Sequence, residues 1–249
     1  VADPGARGVH RFDTAKGDYD LILGPDETPL PSPVALARGP GGDIYVTDSR
    51  LARVLVIHPG ENFATPLKLE GELLQPTGLA FDASNSQFYV TDTRAHLLRI
   101  YSPQGTLIRS IGKRGTGAGE FNYPTLLSLS PQGQLYVTDS LNFRVQILDR
   151  NGQFIGKFGQ LGDGTGDAVR QKGVATDSHG HVYVVDSLFH AVQIFDKSGQ
   201  YLLTVGAQGQ DRGEFWLPVG IYIDASDNIY VADTFNQRVQ MFHYLGDTL

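Results

Sequence analysis

The sequence predicts an all-β fold, a six-bladed β-propeller of four-stranded antiparallel blades, and three observations predict it. A segment reading apolar-Tyr-Val-x-Asp recurs at a nearly constant spacing. The 30 glycines and 13 prolines fall at regular intervals between short apolar runs, as many brief strands joined by tight turns require. Glycine-bearing turns of one type also follow the same predicted strand in successive copies.

The recurring segment is taken as strand b of each blade. It appears as Ile44-Tyr-Val-Thr-Asp48, Phe88-Tyr-Val-Thr-Asp92, Leu135-Tyr-Val-Thr-Asp139, Val182-Tyr-Val-Val-Asp186 and Ile229-Tyr-Val-Ala-Asp233, with Val1-Ala-Asp3 as the tail of a sixth. The aspartates are 45, 44, 47, 47 and 47 residues apart, a period that belongs to a repeat architecture.

Strand a precedes b, following a proline or its equivalent: Val34 to Arg38, Gly78 to Asp82, Thr125 to Leu129, Gly173 to Asp177 after Gln171, and Gly220 to Asp224. Strand c follows b as Arg53 to Ile57, Leu97 to Tyr101, Arg144 to Leu148, Ala191 to Phe195 and Arg238 to Phe242. Strand d is Leu107 to Ile111, Phe154 to Phe158 and Tyr201 to Val205, with a weaker version at Ala64 to Leu69. The c–d turns Ser102-Pro-Gln-Gly105, Asp149-Arg-Asn-Gly152 and Asp196-Lys-Ser-Gly199 place glycine where a tight hairpin needs positive φ.

Each repeat is thus a meander with two apolar faces that it cannot bury alone, so neighbouring copies must stack. Radial stacking also shortens and protects the sheet edges. Residues 1–249 show no shift in composition and read as one domain. Val1 falls at the end of a strand b, so the N-terminal part of blade 1 is expected to be missing, with about 30 residues expected upstream to complete the last blade. The alternative is five blades, with Tyr19 to Leu23 completing the last one, but this orphans the c-like strand Gly8 to Phe12.

Composition excludes several functions. A net charge of −7 and a pI near 5.4 argue against a nucleic-acid partner, whose affinity rests on Lys and Arg displacing phosphate counterions. No apolar run approaches the length of a membrane span. The absence of cysteine removes disulfides, thiolate metal sites and cysteine nucleophiles.

Gly119-Glu-Phe-Asn-Tyr-Pro124, Gly213-Glu-Phe-Trp-Leu-Pro218, Tyr136-Val-Thr-Asp-Ser-Leu-Asn-Phe-Arg-Val-Gln146 and Tyr230-Val-Ala-Asp-Thr-Phe-Asn-Gln-Arg-Val-Gln240 resemble NHL repeats. The resemblance implies a six-bladed propeller. It leaves activity open, because such propellers serve as kinase sensors, RNA-binding domains, scaffolds and a peptidyl-hydroxyglycine lyase. The overall pattern is similar to that of bacterial propellers of secreted or surface assemblies, which implies an extracytoplasmic location, periplasmic or extracellular.

In the lyase relatives, zinc is held by histidines near the start of strand a. The matching positions here are Val34, Thr77, Thr125, Lys172 and Val219, so no metal and no cofactor is expected. Lactonase-type propellers place a glutamate by a channel cation, whereas Glu27, Glu61, Glu70, Glu72, Glu120 and Glu214 all lie outside strand a. The six repeated aspartates are expected to accept backbone hydrogen bonds from the loops that follow them, with Arg53, Arg144 and Arg238 pairing nearby. His96 and His190 are expected as exposed loop residues, and His179 with His181 as no more than an adventitious metal pair. Gly115-Thr-Gly117-Ala-Gly119 and Gly162-Asp-Gly164-Thr-Gly166 lack the following helix of a phosphate loop and read as connections between blades.

The b–c loops carry large side chains, and from them Arg50, Arg94, Phe143, Phe189, Phe235 and Gln237 are expected to bind a partner. The expected function is a non-catalytic protein-binding or scaffold propeller with another protein as partner. The alternative is a metal-dependent lyase or lactonase acting in the central channel.

Overall fold

The computed structural model describes residues 1–13, 15–162, 164, 166–167 and 170–244. These residues form an all-β, six-bladed propeller, whose only helices among the described residues are single 3-10 turns. The chain divides into two compact units, Val1–Arg114 and Gly115–Leu249, each carrying three blades.

In the first unit, the first sheet is β1 (Ala2–Asp3), β2 (Gly8–Asp13) and β3 (Asp18–Ile22), the equivalents of b, c and d. The second is β4 (Pro33–Arg38), β5 (Ile44–Asp48), β6 (Arg53–Ile57) and β7 (Thr65–Pro66). The third is β8 (Pro76–Asp82), β9 (Gln87–Asp92), β10 (Leu97–Tyr101) and β11 (Leu107–Ile111). In the second unit, the fourth sheet is β12 (Pro124–Leu129), β13 (Leu135–Asp139), β14 (Arg144–Leu148) and β15 (Phe154–Phe158). The fifth is β16 (Gln171–Thr176), β17 (Val182–Asp186), β18 (Ala191–Phe195) and β19 (Tyr201–Val205). The sixth is β20 (Gly220–Ile223), β21 (Asn228–Asp233) and β22 (Arg238–His243), the equivalents of a, b and c. Strand order follows chain order in every sheet, so each blade is an antiparallel meander.

Two expectations change. Tyr19 pairs with Phe12 in the β2–β3 ladder, so Tyr19 to Leu23 belongs to the first blade and the five-bladed alternative falls. The strand expected over Ala64 to Leu69 shrinks to Thr65–Pro66, because Pro66 has no N–H to extend the ladder. The sequence would have the sixth blade begin strand d where the chain ends at Leu249, a position that lies outside the described residues.

The turns form as their glycines require. The N–H groups of Gly105, Gly152 and Gly199 donate to Ser102, Asp149 and Asp196 carbonyls at 2.9, 2.9 and 3.0 Å, with φ of 87°, 79° and 90°. A register shift marks the start of strand a in blades two to five, between Pro33 and Leu36, Pro76 and Leu79, Pro124 and Leu127, and Gln171 and Val174. The threonine of Tyr-Val-Thr-Asp plugs this bulge: Thr47, Thr91 and Thr138 Oγ1 accept the N–H groups of Ala35, Gly78 and Leu126. Blade five has Val185 instead, and there the Gly173 N–H donates to the Val219 carbonyl of the next blade at 2.9 Å.

Cores form between neighbouring blades. Val9, Ile22, Val46 and Leu55 join the first two, and Tyr45, Val56, Phe88 and Tyr101 the second and third. In the second unit, Tyr136, Ile147, Phe158 and Phe195 join the fourth and fifth, and Tyr183, Val185, Phe215 and Val231 the fifth and sixth. This is why a single repeat could not stand alone.

Candidate functional site

The repeated aspartate ends strand b and organises the two loops beside it. Asp48 accepts the N–H groups of Arg50 and Leu51 from its own b–c loop and that of Ser32 from the segment before strand a. Asp139 is buried and accepts from Asn122 N, Asn142 Nδ2, Arg144 Nε at 2.8 Å and Gln146 Nε2 at 3.1 Å. Asp233 repeats the set with Trp216, Asn236, Arg238 and Gln240. Asp186 holds Arg170, Leu188 and Phe189 by their N–H groups. In the first blade, Asp3 takes the N–H groups of Gly5 and Ala6 and pairs with His10, while Asp92 pairs with Arg99 at 3.0 Å. The expected structural role is what the geometry displays. Arg144 and Arg238 pair as expected, whereas Arg53 is exposed and no such pair forms through it among the described residues.

The aspartate also sets what its loop presents. The residue four positions on adopts left-handed φ in every blade: Arg7 56°, Ala52 54°, His96 59°, Phe143 53°, His190 53° and Gln237 53°. The residue two positions on points to solvent in blades two to six, where it is Arg50, Arg94, Leu141, Leu188 and Phe235. Leu141, Leu188 and Phe235 are 52%, 45% and 57% exposed. Phe235 stacks on Trp216 with ring centroids 4.4 Å apart, which holds an exposed aromatic pair in place.

Of the residues expected to bind a partner, Arg50 and Arg94 in the first unit are exposed, as are Phe235 and Gln237 in the second. Phe143 and Phe189 are only half-exposed, while Leu141 and Leu188 beside them stand clear. Sequence reading ranked aromatic rings above leucines at these turns; the position relative to the aspartate was the better signal.

The histidines are occupied. His190 Nδ1 accepts the Leu217 N–H at 3.0 Å, which puts its ring proton on Nε2; it is half-buried rather than the exposed loop residue expected. His181 pairs with Asp177 at 2.7 Å and His179 with Asp227 at 3.4 Å. Thr77 and Thr125, at the start of strand a, are bonded to Thr93 and Ser140 within their own blades at 2.7 Å. Lys172 at the same position is half-buried, and burial, with help from Arg170, lowers its ammonium pKa. Among the described residues no three His, Cys, Asp or Glu side chains converge.

The glycine-rich connections do cradle an anion, but the anion is the chain's own. Glu120 Oε2 accepts the Gly117 N–H at 3.0 Å, and a Cβ at Gly115 would come within 2.1 Å of that oxygen. Asp167 Oδ2 does the same for Gly164 at 3.1 Å, and Glu214 Oε2 for Asp211 at 3.1 Å. Asp163 and Thr165 of the second connection lie outside the described residues.

Comparisons with known proteins agree with this architecture. Residues 73–101 and 121–148 match the NHL repeat, and residues 174–246 match a 6-bladed beta-propeller family. No curated protein sequence matches the chain. Among solved structures, a catalytically inactive virginiamycin B lyase from Staphylococcus aureus with quinupristin is similar at a TM-score of 0.67 and 13% identity, over 98% of this chain and 79% of that one. A streptogramin B lyase gives 0.68 and 13% over 96% and 72%. A chain of Kuenenia stuttgartiensis hydrazine synthase gives 0.66 and 14% over 97% and 90%. Identities this low carry architecture and not chemistry.

Proposed function

We propose that this NHL-repeat six-bladed β-propeller is a non-catalytic docking module that binds another protein through the face bearing its b–c loops. One observation carries the reading: the loop position two residues after the repeated aspartate holds a large, exposed side chain in five blades, on a backbone fixed by part-buried hydrogen bonds. A rigid frame presenting side chains outward loses little entropy on binding. The stacked Trp216–Phe235 pair supplies an aromatic anchor of the kind that dominates interface energetics. Leu141 and Leu188 extend that apolar patch within the second unit, and Arg50 and Arg94 give the first unit a cationic counterpart. The anchor of the second unit therefore favours an apolar group on its partner, and the arginines of the first unit favour acidic ones.

The lyase or lactonase alternative draws only on likeness of fold. A location outside the cytoplasm, in a secreted or surface assembly, belongs to the docking reading; a chain without cysteine has no thiol to oxidise there. Fractionation of the source cells checks it, and recovery of the chain in the cytosol alone counts against it.

The docking test uses two variants, Phe235→Ala with Leu188→Ala, and Arg50→Glu with Arg94→Glu. Each removes exposed groups that make no hydrogen bond or ion pair through their side chains; Phe235→Ala also takes away the stack on Trp216. Recovery of co-purifying protein is expected to fall at least about tenfold with the first and to become weaker and less salt-dependent with the second. Unchanged recovery with both overturns the reading.

A further inference from the structure

Where blades one and two meet, the chain departs from the short turns of the other repeats. The c–d connection of blade two covers residues 58–64, whereas blade three needs only residues 102–106. Its far end leans on blade one: the Ala64 N–H donates to the Leu23 carbonyl at 2.7 Å, and Phe63 and Leu23 form a parallel bridge. Arg11 of β2 fastens the same connection, donating to the Glu61 carbonyl at 3.1 Å and to Asn62 Oδ1 at 2.6 Å while it pairs with Asp20 at 2.7 Å.

Between the two blades lies an open cavity of about 380 Å³, walled by Leu21, Leu23, Phe63, Asn62, Asp26 and Glu27. Its walls are of two kinds. Leu21 and Phe63 are large apolar side chains left 38% and 40% exposed. Asp26 and Glu27 are exposed as well, and their carboxylates form no hydrogen bond or ion pair among the described residues. The loop that carries them is closed on itself, the Gly24 N–H donating to the Thr28 carbonyl at 2.7 Å and the Thr28 N–H to the Pro25 carbonyl at 3.1 Å. Arg11, bonded to Asn62 in the same wall, is already paired with Asp20 and leaves these two charges unmatched.

We infer that this cavity binds a small organic cation, an ammonium carried on an aromatic or aliphatic body. The body covers Leu21, Leu23 and Phe63 from water, and the ammonium lies at the rim formed by Asp26 and Glu27. A cation placed over the Phe63 ring is attracted to that as well. Charge selects the occupant: an anion of the same shape is repelled by two carboxylates, and a neutral molecule gains only the apolar contact. A volume of about 380 Å³ falls in the range of small-molecule sites, which runs from about 300 to 1,000 Å³.

The test follows the amide resonances of Gly24 and Asn62 in the full chain while titrating phenethylamine, phenethyl alcohol and hydrocinnamate at neutral pH. The probes share a phenyl ring on a short chain and differ in charge. Saturable shifts with the amine are expected in the roughly millimolar range that so few atoms allow. The alcohol is expected to bind at least about threefold more weakly and hydrocinnamate more weakly still, with the gap narrowing as salt is raised. Asp26→Asn with Glu27→Gln is expected to bring the amine to the level of the alcohol and to leave the alcohol unchanged. Those two side chains bond nothing, so the fold does not rest on them. Phe63→Ala is expected to weaken amine and alcohol alike. The inference is overturned if the amine gives no saturable shift, if the alcohol or hydrocinnamate binds as tightly, if the double variant keeps the preference for the amine, or if Phe63→Ala changes nothing. Tighter binding of a short peptide with one central lysine overturns the small-molecule assignment and gives the site to a polypeptide.

Discussion

The hydroxyl of Thr138 accepts the Leu126 N–H at 2.9 Å, a donor that the bulge at the start of β12 leaves outside the ladder. Valine has nearly the same shape and no acceptor, so Thr138→Val buries that N–H unpaired and is expected to cost about 1–3 kcal/mol, read as a lowered urea midpoint. Blade five shows why the cost is one of hydrogen bonding and not of volume: it carries Val185 at this position, and its equivalent N–H goes to the Val219 carbonyl instead. Ala52 supplies a second case. Its φ of 54° is left-handed, a region in which an L-residue is destabilised by roughly 1–2 kcal/mol. Glycine removes that strain and gives back about 0.5–1 kcal/mol through its freer unfolded chain. Ala52→Gly is therefore expected to be neutral to stabilising by up to about 1 kcal/mol, and β-branched Ala52→Val to destabilise by more than about 1 kcal/mol. Thermal unfolding of the pair checks the order, and a glycine variant less stable than the valine variant refutes the argument.

At the scale of strands and loops, what was legible in the sequence was whatever a local pattern dictates. The b and c strands fall at or within a residue of their expected bounds because alternation and the terminal aspartate mark both ends. The c–d turns were legible because only glycine fits their φ. What was not legible depends on partners distant in sequence. Gly115-Thr-Gly117 reads as a bare connection until Glu120 folds back into it, and the repeated Glu of Gly-Glu-Phe then has a function as an internal anion. The exposure of Leu141 over Phe143 goes with left-handed backbone at Phe143, four residues after Asp139, and Phe189, three residues after Asp186, is drawn in by its N–H bond to that carboxylate while Leu188 stands clear.

Over the whole molecule, the same hydrogen bonds set how stability responds to pH. The Ser198 hydroxyl lowers the pKa of Asp196, the Asn228 side chain that of Asp224 and the Ser178 hydroxyl that of Asp227. A carboxylate whose folded pKa is depressed contributes stability above its unfolded value, near 3.9, and that stability is lost as pH falls through the lower folded value. Unfolding is thus expected to become easier only below about pH 4. The alkaline limb has a different origin. Burial, and then the nearby Asp196 charge, push the Tyr136 phenol up to about 12. Its O–H donates to Gln134 Oε1 at 2.9 Å and to the Lys197 carbonyl at 3.3 Å, tying blade four to blade five. A raised phenol contributes stability that is intact below the unfolded value of about 10 and lost as pH climbs to the folded one, an order of 2–3 kcal/mol. Urea unfolding between pH 9 and 12 should show this fall in the parent chain and a smaller one in Tyr136→Phe, which keeps the ring but has no proton to release. The phenylalanine variant should also start lower at pH 7, because the Gln134 and Lys197 acceptors lose their donor. An alkaline limb of the same depth in both proteins would place its origin elsewhere and separate the Tyr136 tie from the pH response.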